Sequence, residues 1–428
     1  MPTATYSRRF IIVDDHTVRE ARDRQEEREE RRPKKRQRKD LDSDEDEDHP
    51  DAPPKDPSKR RRSIFAQSKA PAERDGVYWM EEERANCHLR VSDTLFKIHR
   101  ELLSCSEFMV ELLQDHERLS GPTSEENPMH FVFCSVEEFR AFLWALYATV
   151  DDLALAPDNQ EYVDRLFLIA EMVYKYDVPK LYDWVFATLL AVANNDIYME
   201  SCSSAALTRF LDLSIKCHKT KTTAAIVKKW VGRLWNKSTP STPAILASDR
   251  HDLEDLRGPA YYVHLLDMHD RQGSPTGYGA THLRMDEKLN TNAPVIRLLG
   301  GYWSLVNLWE RTRVKPIELP PAGSCCVSSS SSSSSPDGPE APIATEAHAK
   351  CVAAWERRWI SAAGWRRILG VSSPDILGLL ACLRDQLMND DDLKAALNPA
   401  CRLAGLEALK ALRTKMEEGL ADHFVGVV

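Results

Sequence analysis

Apolar and polar residues first alternate at the spacing of strands and then recur at the spacing of helices. Cys87-His88-Leu89-Arg90-Val91 alternates as a half-buried strand does. Ser92-Asp93 suits a tight turn, although glycine would be the easier second residue. Thr94–Ile98 returns as a second strand. Leu102 and Leu103, and then Phe108, Met109, Leu112 and Leu113, predict two short packed helices. Met129–Cys134 reads as a third strand with Phe131 and Phe133 on one face.

The helical period is clearer downstream. Phe139, Phe142, Leu143, Leu146 and Tyr147 share one face, as do Val163, Leu166, Phe167, Ala170, Val173 and Tyr174. A third helix carries Leu181, Val185, Leu189 and Val192, with Asp177 as its expected N-cap and Pro179 in its first turn. Leu207, Phe210, Leu211, Ser214 and Ile215 predict another helix, and Val227, Trp230, Val231 and Leu234 a further one. From about Asn236 to Lys350 the pattern turns irregular, with Ser-Thr-Pro repeats at Ser238–Pro243, a local helix around Tyr261–Met268, and the serine run Ser328–Ser335. Cys351–Phe424 is helical again. Val352, Trp355 and Trp359 lie on one face, then Leu377, Leu380 and Leu383, then Leu403, Leu406, Leu409 and Met416. This last segment is either a small helical subdomain or a cap that packs back on the first body.

With 428 residues and 43% apolar composition, the chain can bury one sizeable core or two. Its net charge of -9 gives no general attraction to nucleic acid or anionic membranes. No secretory leader opens the sequence, and no apolar run is long enough to span a bilayer. The 10 cysteines are therefore expected to be free thiols packed as small hydrophobes. Residues 1–75 are highly charged and poor in apolar groups, which predicts a disordered tail. Order is expected to begin near Val77-Tyr78-Trp79.

The stretch from Tyr78 to Leu190 resembles the BTB/POZ domain, and most closely the BTB proteins common in basidiomycete fungi. The residues that carry the resemblance are Tyr78-Trp79, Leu89-Arg90-Val91, Asp93-Thr94-Leu95-Phe96 and Phe96-x-x-His99-Arg100-x-x-Leu103-Ser104. They continue with Phe139-x-x-Phe142-Leu143-x-x-Leu146-Tyr147, Leu168-x-Ala170, and Tyr174-Lys175-Tyr176-x-Val178-x-x-Leu181. The resemblance covers about a quarter of the chain, and its specificity lies in the order and spacing of these short motifs. It implies an α+β fold, a small three-stranded sheet capped by helices, followed by an all-α C-terminal half. Phe96, His99, Arg100, Leu103, Phe142, Leu146, Tyr147 and Tyr176 form its core motif. His99 is expected to be a hydrogen-bonded structural histidine. Ser106 falls one residue earlier than the family's serine, which predicts a shortened link between the two short helices, and Gln114–Pro128 reads as a long polar loop.

The domain boundaries that follow are a charged tail over 1–75, the BTB-type domain over 76–193, and a helical extension over 194–270. A Gly/Pro/Ser-rich linker over 271–350 and a helical segment over 351–428 complete the chain. The resemblance implies homodimerisation and recruitment of other proteins, with Leu95, Leu102 and Leu103 in the candidate dimer interface. Some relatives bind a cullin scaffold through a hydrophobic-x-Glu element. The counterpart here, Leu113-Gln114-Asp115, has a shorter acid, and the cullin adaptor is the alternative function.

Two basic clusters stand in the tail. Lys34, Lys35, Arg36, Arg38 and Lys39 form the denser one, and Lys59, Arg60, Arg61 and Arg62 the second. They suit the acidic grooves of a nuclear import receptor, which predicts a nuclear or nucleocytoplasmic protein. Nucleic-acid binding through the same tail is a further alternative, ranked lower because no finger, homeodomain or basic-zipper pattern accompanies it. The expected protein is not an enzyme. The sequence contains no phosphate-binding glycine loop, no H-E-x-x-H and no G-x-S-x-G. Cys325-Cys326, His348-x-x-Cys351 and Cys217-His218 are its dense Cys/His groups, and none provides two paired metal-binding arms. Neither a metal nor a cofactor is expected on that basis.

Overall fold

The structure, a computed structural model, describes residues 72–131, 134–149, 152–153, 159–271, 286–289, 291–327, 343–344 and 346–425. The charged tail, both basic clusters and the serine run lie outside the described residues. Strand β2 (Cys87–Val91) buries Cys87, Leu89 and Val91 and turns His88 and Arg90 outward. It pairs antiparallel with β3 (Thr94–Ile98), Leu89 facing Phe96, through a turn in which Ser92 takes the left-handed conformation (φ 51°).

The sheet has four strands, in the order β1-β3-β2-β4, where three were expected. The additional strand, β1 (Glu73–Trp79), runs parallel to β3 with an irregular register. Order therefore begins inside the segment assigned to the tail. Its charges had concealed it, because one of them faces inward. The Asp75 side chain is fully buried and accepts the backbone N–H groups of Val77 (2.9 Å) and Tyr78 (2.7 Å) and the Arg140 Nε–H (2.7 Å). Strand β4 (Met129–Phe131) lies parallel to β2 and is shorter than the expected Met129–Cys134; Phe133 is outside the described residues.

Helices cover this sheet. A 3-10 turn at Arg100–Cys105 leads into α1 (Glu107–Ser120). Buried Ser106 links the two, accepting the Met109 N–H at 3.2 Å and donating its hydroxyl to the Tyr176 carbonyl. The expected loop from Gln114 is still helix as far as Ser120, because its polar residues form a solvated face on which Arg100 clasps Glu117 (Nη2–Oε2 2.8 Å). Gly121 (φ 84°) then ends the helix. A Ser135/Glu138 capping box starts α2 (Val136–Tyr147). Next come α3 (Gln160–Lys175) and α4 (Pro179–Asn194). The cap of α4 is Val178 and not Asp177, which sits in the left-handed region (φ 46°). A residue before proline is pushed out of the helical region, so Pro179 moves the boundary to its neighbour. Phe139 on α2 packs between β3 and the edge strand β4, with ring centroids 4.9 Å from Phe96 and 5.3 Å from Phe131.

The helical extension comprises α5 (Asp196–Ser201), α6 (Ser204–Lys216), α7 (Thr220–Trp235), α8 (Ser241–His251) and α9 (Glu254–Arg271). Over the described residues 241–271 the expected irregularity is replaced by helix, and the local helix expected around Tyr261–Met268 is part of α9. Pro240 is the N-cap of α8 and Pro243 lies in its first turn, so residues taken as breakers start a helix. The expected linker likewise contains α10 (Asn292–Val314), whose Pro294 sits in the first turn and whose Gly300-Gly301 pair interrupts the apolar period.

The C-terminal segment supplies α11 (Glu346–Ala363), α12 (Arg366–Leu369), α13 (Ile376–Asn389), α14 (Asp391–Ala396), α15 (Pro399–Glu418) and α16 (Leu420–His423). It packs back on the first body as a cap: Residues 69–428 form one compact unit. Phe424 stacks on Tyr261 of α9 at 5.4 Å, and the Tyr262 hydroxyl donates to Asp375 at 2.6 Å. Trp355 and Trp359 are fully buried and donate to the carbonyls of Ile317 (3.2 Å) and Thr312 (3.0 Å), whereas Trp365 and Leu403 face solvent.

Candidate interaction surface

Most residues of the expected motif lie in the core or at its margin. Phe96, Leu103 and Phe142 are fully buried, Tyr176 nearly so, and Leu146 packs at the margin. His99 caps the 3-10 turn. Its Nδ1 lies 2.9 Å from the Tyr147 hydroxyl, its backbone N–H donates to the same oxygen at 3.3 Å, and Nε2 reaches Glu82 at 3.3 Å. Burial raises the Tyr147 phenol above its ordinary value, with the His99 N–H pulling the other way. The Glu117 carboxyl is held below the usual carboxylate range by its hydrogen bond from Arg100. These polar groups fasten the hairpin to α1 and α2.

Leu95, Leu102 and Leu103 do not form the expected surface patch. Leu103 is 0% exposed in the core, and Leu95 is 6% exposed on the face of β3 opposite Phe96 and Ile98, where it sits between Arg74 of β1 and Arg90 of β2; only Leu102 keeps partial exposure. Next to them, an outward apolar stripe lies on α1. Met109 and Leu113 point inward, while Phe108, Leu112 and Leu119 are 48%, 37% and 79% exposed. At roughly 100° per residue these three positions fall within about 40° of one another, so they form one stripe. The Leu113-Gln114-Asp115 triplet is split by the same geometry. Leu113 is core, and Asp115 pairs with Arg118 at 2.9 Å on the surface.

Two further features lie in the helical half. A groove of about 770 Å³ opens between α6, α7 and the start of α9, lined by apolar Ile215, Val227 and Val231 and by both basic and acidic side chains, among them Lys219, Lys228 and Glu254. The second is a cluster that spacing did not reveal. Cys325, His348 and Cys401 are all buried and offer ligand atoms within 4.8 Å of one another, and Cys351 Sγ lies 3.8 Å from Cys325 Sγ. Burial, with Cys401 and Cys351 beside it, pushes the Cys325 thiol up to about 12. Cys401 was missed because it stands alone, far along the chain from Cys351. The usable signal was His348-x-x-Cys351, which places two donor side chains on one helical face.

No protein-family model, curated protein or solved structure matches the chain. Among the described residues, no helix is long and apolar enough to cross a membrane.

Proposed function

We propose that this chain is a protein-interaction module of the BTB type, which associates with itself or recruits other proteins through its α1 face. The observation that carries this reading is the order of elements from β2 to α4. Hairpin, 3-10 turn, helix, third strand and three helices follow one another in the sequence implied by the resemblance, with Phe139 packed between Phe96 and Phe131. The apolar stripe of Phe108, Leu112 and Leu119 supports the interaction role, since a solvated helix normally turns such side chains inward. In this reading the basic clusters Lys34–Lys39 and Lys59–Arg62 direct the protein to the nucleus, where its partners are regulatory proteins.

Light scattering and affinity capture test the proposal on the full chain, comparing the native protein with a Phe108→Asp/Leu119→Glu double variant. Leu119 is 79% exposed and Phe108 48%, with its ring 6.0 Å from Tyr176, so circular dichroism of the variant accompanies the comparison to establish that its fold is kept. The native chain is expected to run as a dimer, or to retain prey proteins that the variant loses. Identical masses together with identical prey would reject the reading.

A further inference from the structure

We infer that Cys325, His348, Cys351 and Cys401 form a structural zinc site that staples the C-terminal helices to the chain entering them. The four donors come from three places. Cys325 closes the short 3-10 turn Gly323–Cys325, His348 and Cys351 share a face of α11 one turn apart, and Cys401 stands in the first turn of α15.

Distances decide the reading. A tetrahedral zinc ion with bonds of roughly 2.3 Å to sulfur and 2.0–2.1 Å to nitrogen sets sulfur–sulfur edges near 3.8 Å and sulfur–nitrogen edges near 3.6 Å. The Cys325–Cys351 sulfurs are 3.8 Å apart, and Cys401 Sγ lies 3.6 Å from His348 Nδ1; Cys325, His348 and Cys401 converge within 4.8 Å of one another, and Cys351 adjoins that trio through Cys325 as the fourth donor. The first separation is also far beyond the roughly 2.05 Å of a disulfide.

The surroundings fit a ligand set as well. His348 Nε2 lies 3.1 Å from the Leu319 carbonyl, so it is the protonated nitrogen and Nδ1 presents its lone pair to the cluster. The Asn398 backbone N–H points at Cys351 Sγ at 3.5 Å, the kind of donor that steadies a thiolate. The competing arrangement is three protonated thiols packed as small hydrophobes, in which Cys401 Sγ donates to the Ala322 carbonyl at 3.4 Å. That arrangement gives no reason for donors from three separate elements to converge in one buried spot. Three sulfurs and an imidazole with no carboxylate favour zinc over magnesium or calcium.

The location suggests what the ion does. Strands β5 (Cys326–Val327) and β6 (Ile343–Ala344) pair antiparallel at the two ends of the serine-rich excursion. Cys325 precedes the first strand and His348 follows the second, so one ion closes that excursion and ties it to α15.

The test uses the full chain purified without chelator and then equilibrated with zinc chloride and dialysed. Near one zinc per chain is expected by elemental mass spectrometry. Cobalt substitution is expected to give the intense visible bands of a tetrahedral ion together with thiolate charge-transfer absorption. Cys401→Ser and His348→Ala should each lose most of the bound metal, His348→Cys should keep it, and Cys382→Ser, remote from the cluster, should leave it unchanged. Should the ligand variants fail to fold, the native chain still decides. Chelator treatment is expected to make Cys325, Cys351 and Cys401 alkylable, as mapped by peptide mass spectrometry, while protection of Cys87 and Cys202 is retained. Only trace zinc in the native chain after equilibration, or a Cys325–Cys351 disulfide in place of metal, overturns the inference.

Discussion

A methyl group added at Gly301 would lie 2.1 Å from Cε1 of Phe424, a ring that is itself fully buried. The missing side chain on α10 is therefore what lets the end of the chain seat against it and stack on Tyr261. Neighbouring Gly300 faces solvent, and a Cβ there meets nothing within 4 Å. The two glycines should respond in opposite directions. Gly300→Ala removes a flexible residue from a helix interior and should stabilise by up to about 1 kcal/mol. Gly301→Ala gains the same propensity but overpacks a core that cannot yield, and should destabilise by about 1–3 kcal/mol. Urea denaturation of the two variants checks this. Adding Phe424→Leu to Gly301→Ala should recover part of the loss if the contact is the cause.

Tyr262 carries the second tie between the halves. Its hydroxyl donates to Asp375 at 2.6 Å and accepts the Leu377 N–H at 3.1 Å, and the same carboxylate caps α13 through the Gly378 N–H at 2.8 Å. Tyr262→Phe strips both bonds in a site where Tyr262 is 1% exposed. The expected cost is about 1.5–3 kcal/mol, the range for a hydrogen bond to a charged group together with a donor left unpaired. Tyr302→Phe, at a half-exposed position of α10, should change stability by no more than about 0.5 kcal/mol. Equal effects in the two variants would show that the Asp375 bond contributes nothing.

These two contacts mark where the sequence was legible and where it was not. Strands β2 and β3 were readable to the residue because alternation is a local property of five residues. Helices α2 to α4, α6 and α7 were readable because their apolar period is uninterrupted. Strand β1 was not, because Asp75 is a buried charge made tolerable by two backbone donors of its own strand and by Arg140, which only the folded chain brings to it. Helices α8 and α10 were hidden by Pro240, Pro243, Pro294 and the Gly300-Gly301 pair, whose roles as cap, first-turn residue and close-approach point depend on tertiary neighbours. The cysteine cluster was hidden for the same reason. Cys401 meets Cys325 and His348 only when α15 docks.

Ser106 is expected to be worth more than an ordinary N-cap. Its hydroxyl oxygen accepts the Met109 N–H, as a cap does, and its proton goes to the Tyr176 carbonyl at the end of α3. Ser203 caps α6 through the Ala206 N–H at 3.1 Å and is exposed. Ser203→Ala should therefore cost about 1 kcal/mol, the usual loss of a cap. Ser106→Ala should cost about 2–3 kcal/mol, since the buried Tyr176 carbonyl also loses its partner. Chemical denaturation of both variants measures the difference, and a gap near zero would mean that the Ser106–Tyr176 bond adds nothing to the cap.

Alkaline pH should unfold the protein through its buried phenols. Burial raises Tyr176, Tyr261 and Tyr262 well above the ordinary value, with Cys134, Asp249 and Asp375 respectively adding to the effect, and pushes Tyr198 up to about 12. Burial likewise pushes the Cys87 thiol up to about 11 and Cys217 to about 12. For a group whose folded value is raised, the stabilising contribution is complete below the unfolded value and is lost as pH rises toward the folded one. Unfolded thiols titrate near 8.5 and unfolded tyrosines near 10, so the urea midpoint should be flat near neutrality, begin to fall above about pH 8.5, and fall more steeply above about pH 10. Tyr262→Phe removes one of these groups and should show a shallower decline on the steep limb, even though it starts from a lower midpoint. The comparison needs only midpoints for the native chain and the variant at neutral pH and across the alkaline range. A native midpoint that stays level through the tyrosine range would mean that these phenols reach solvent in the folded protein.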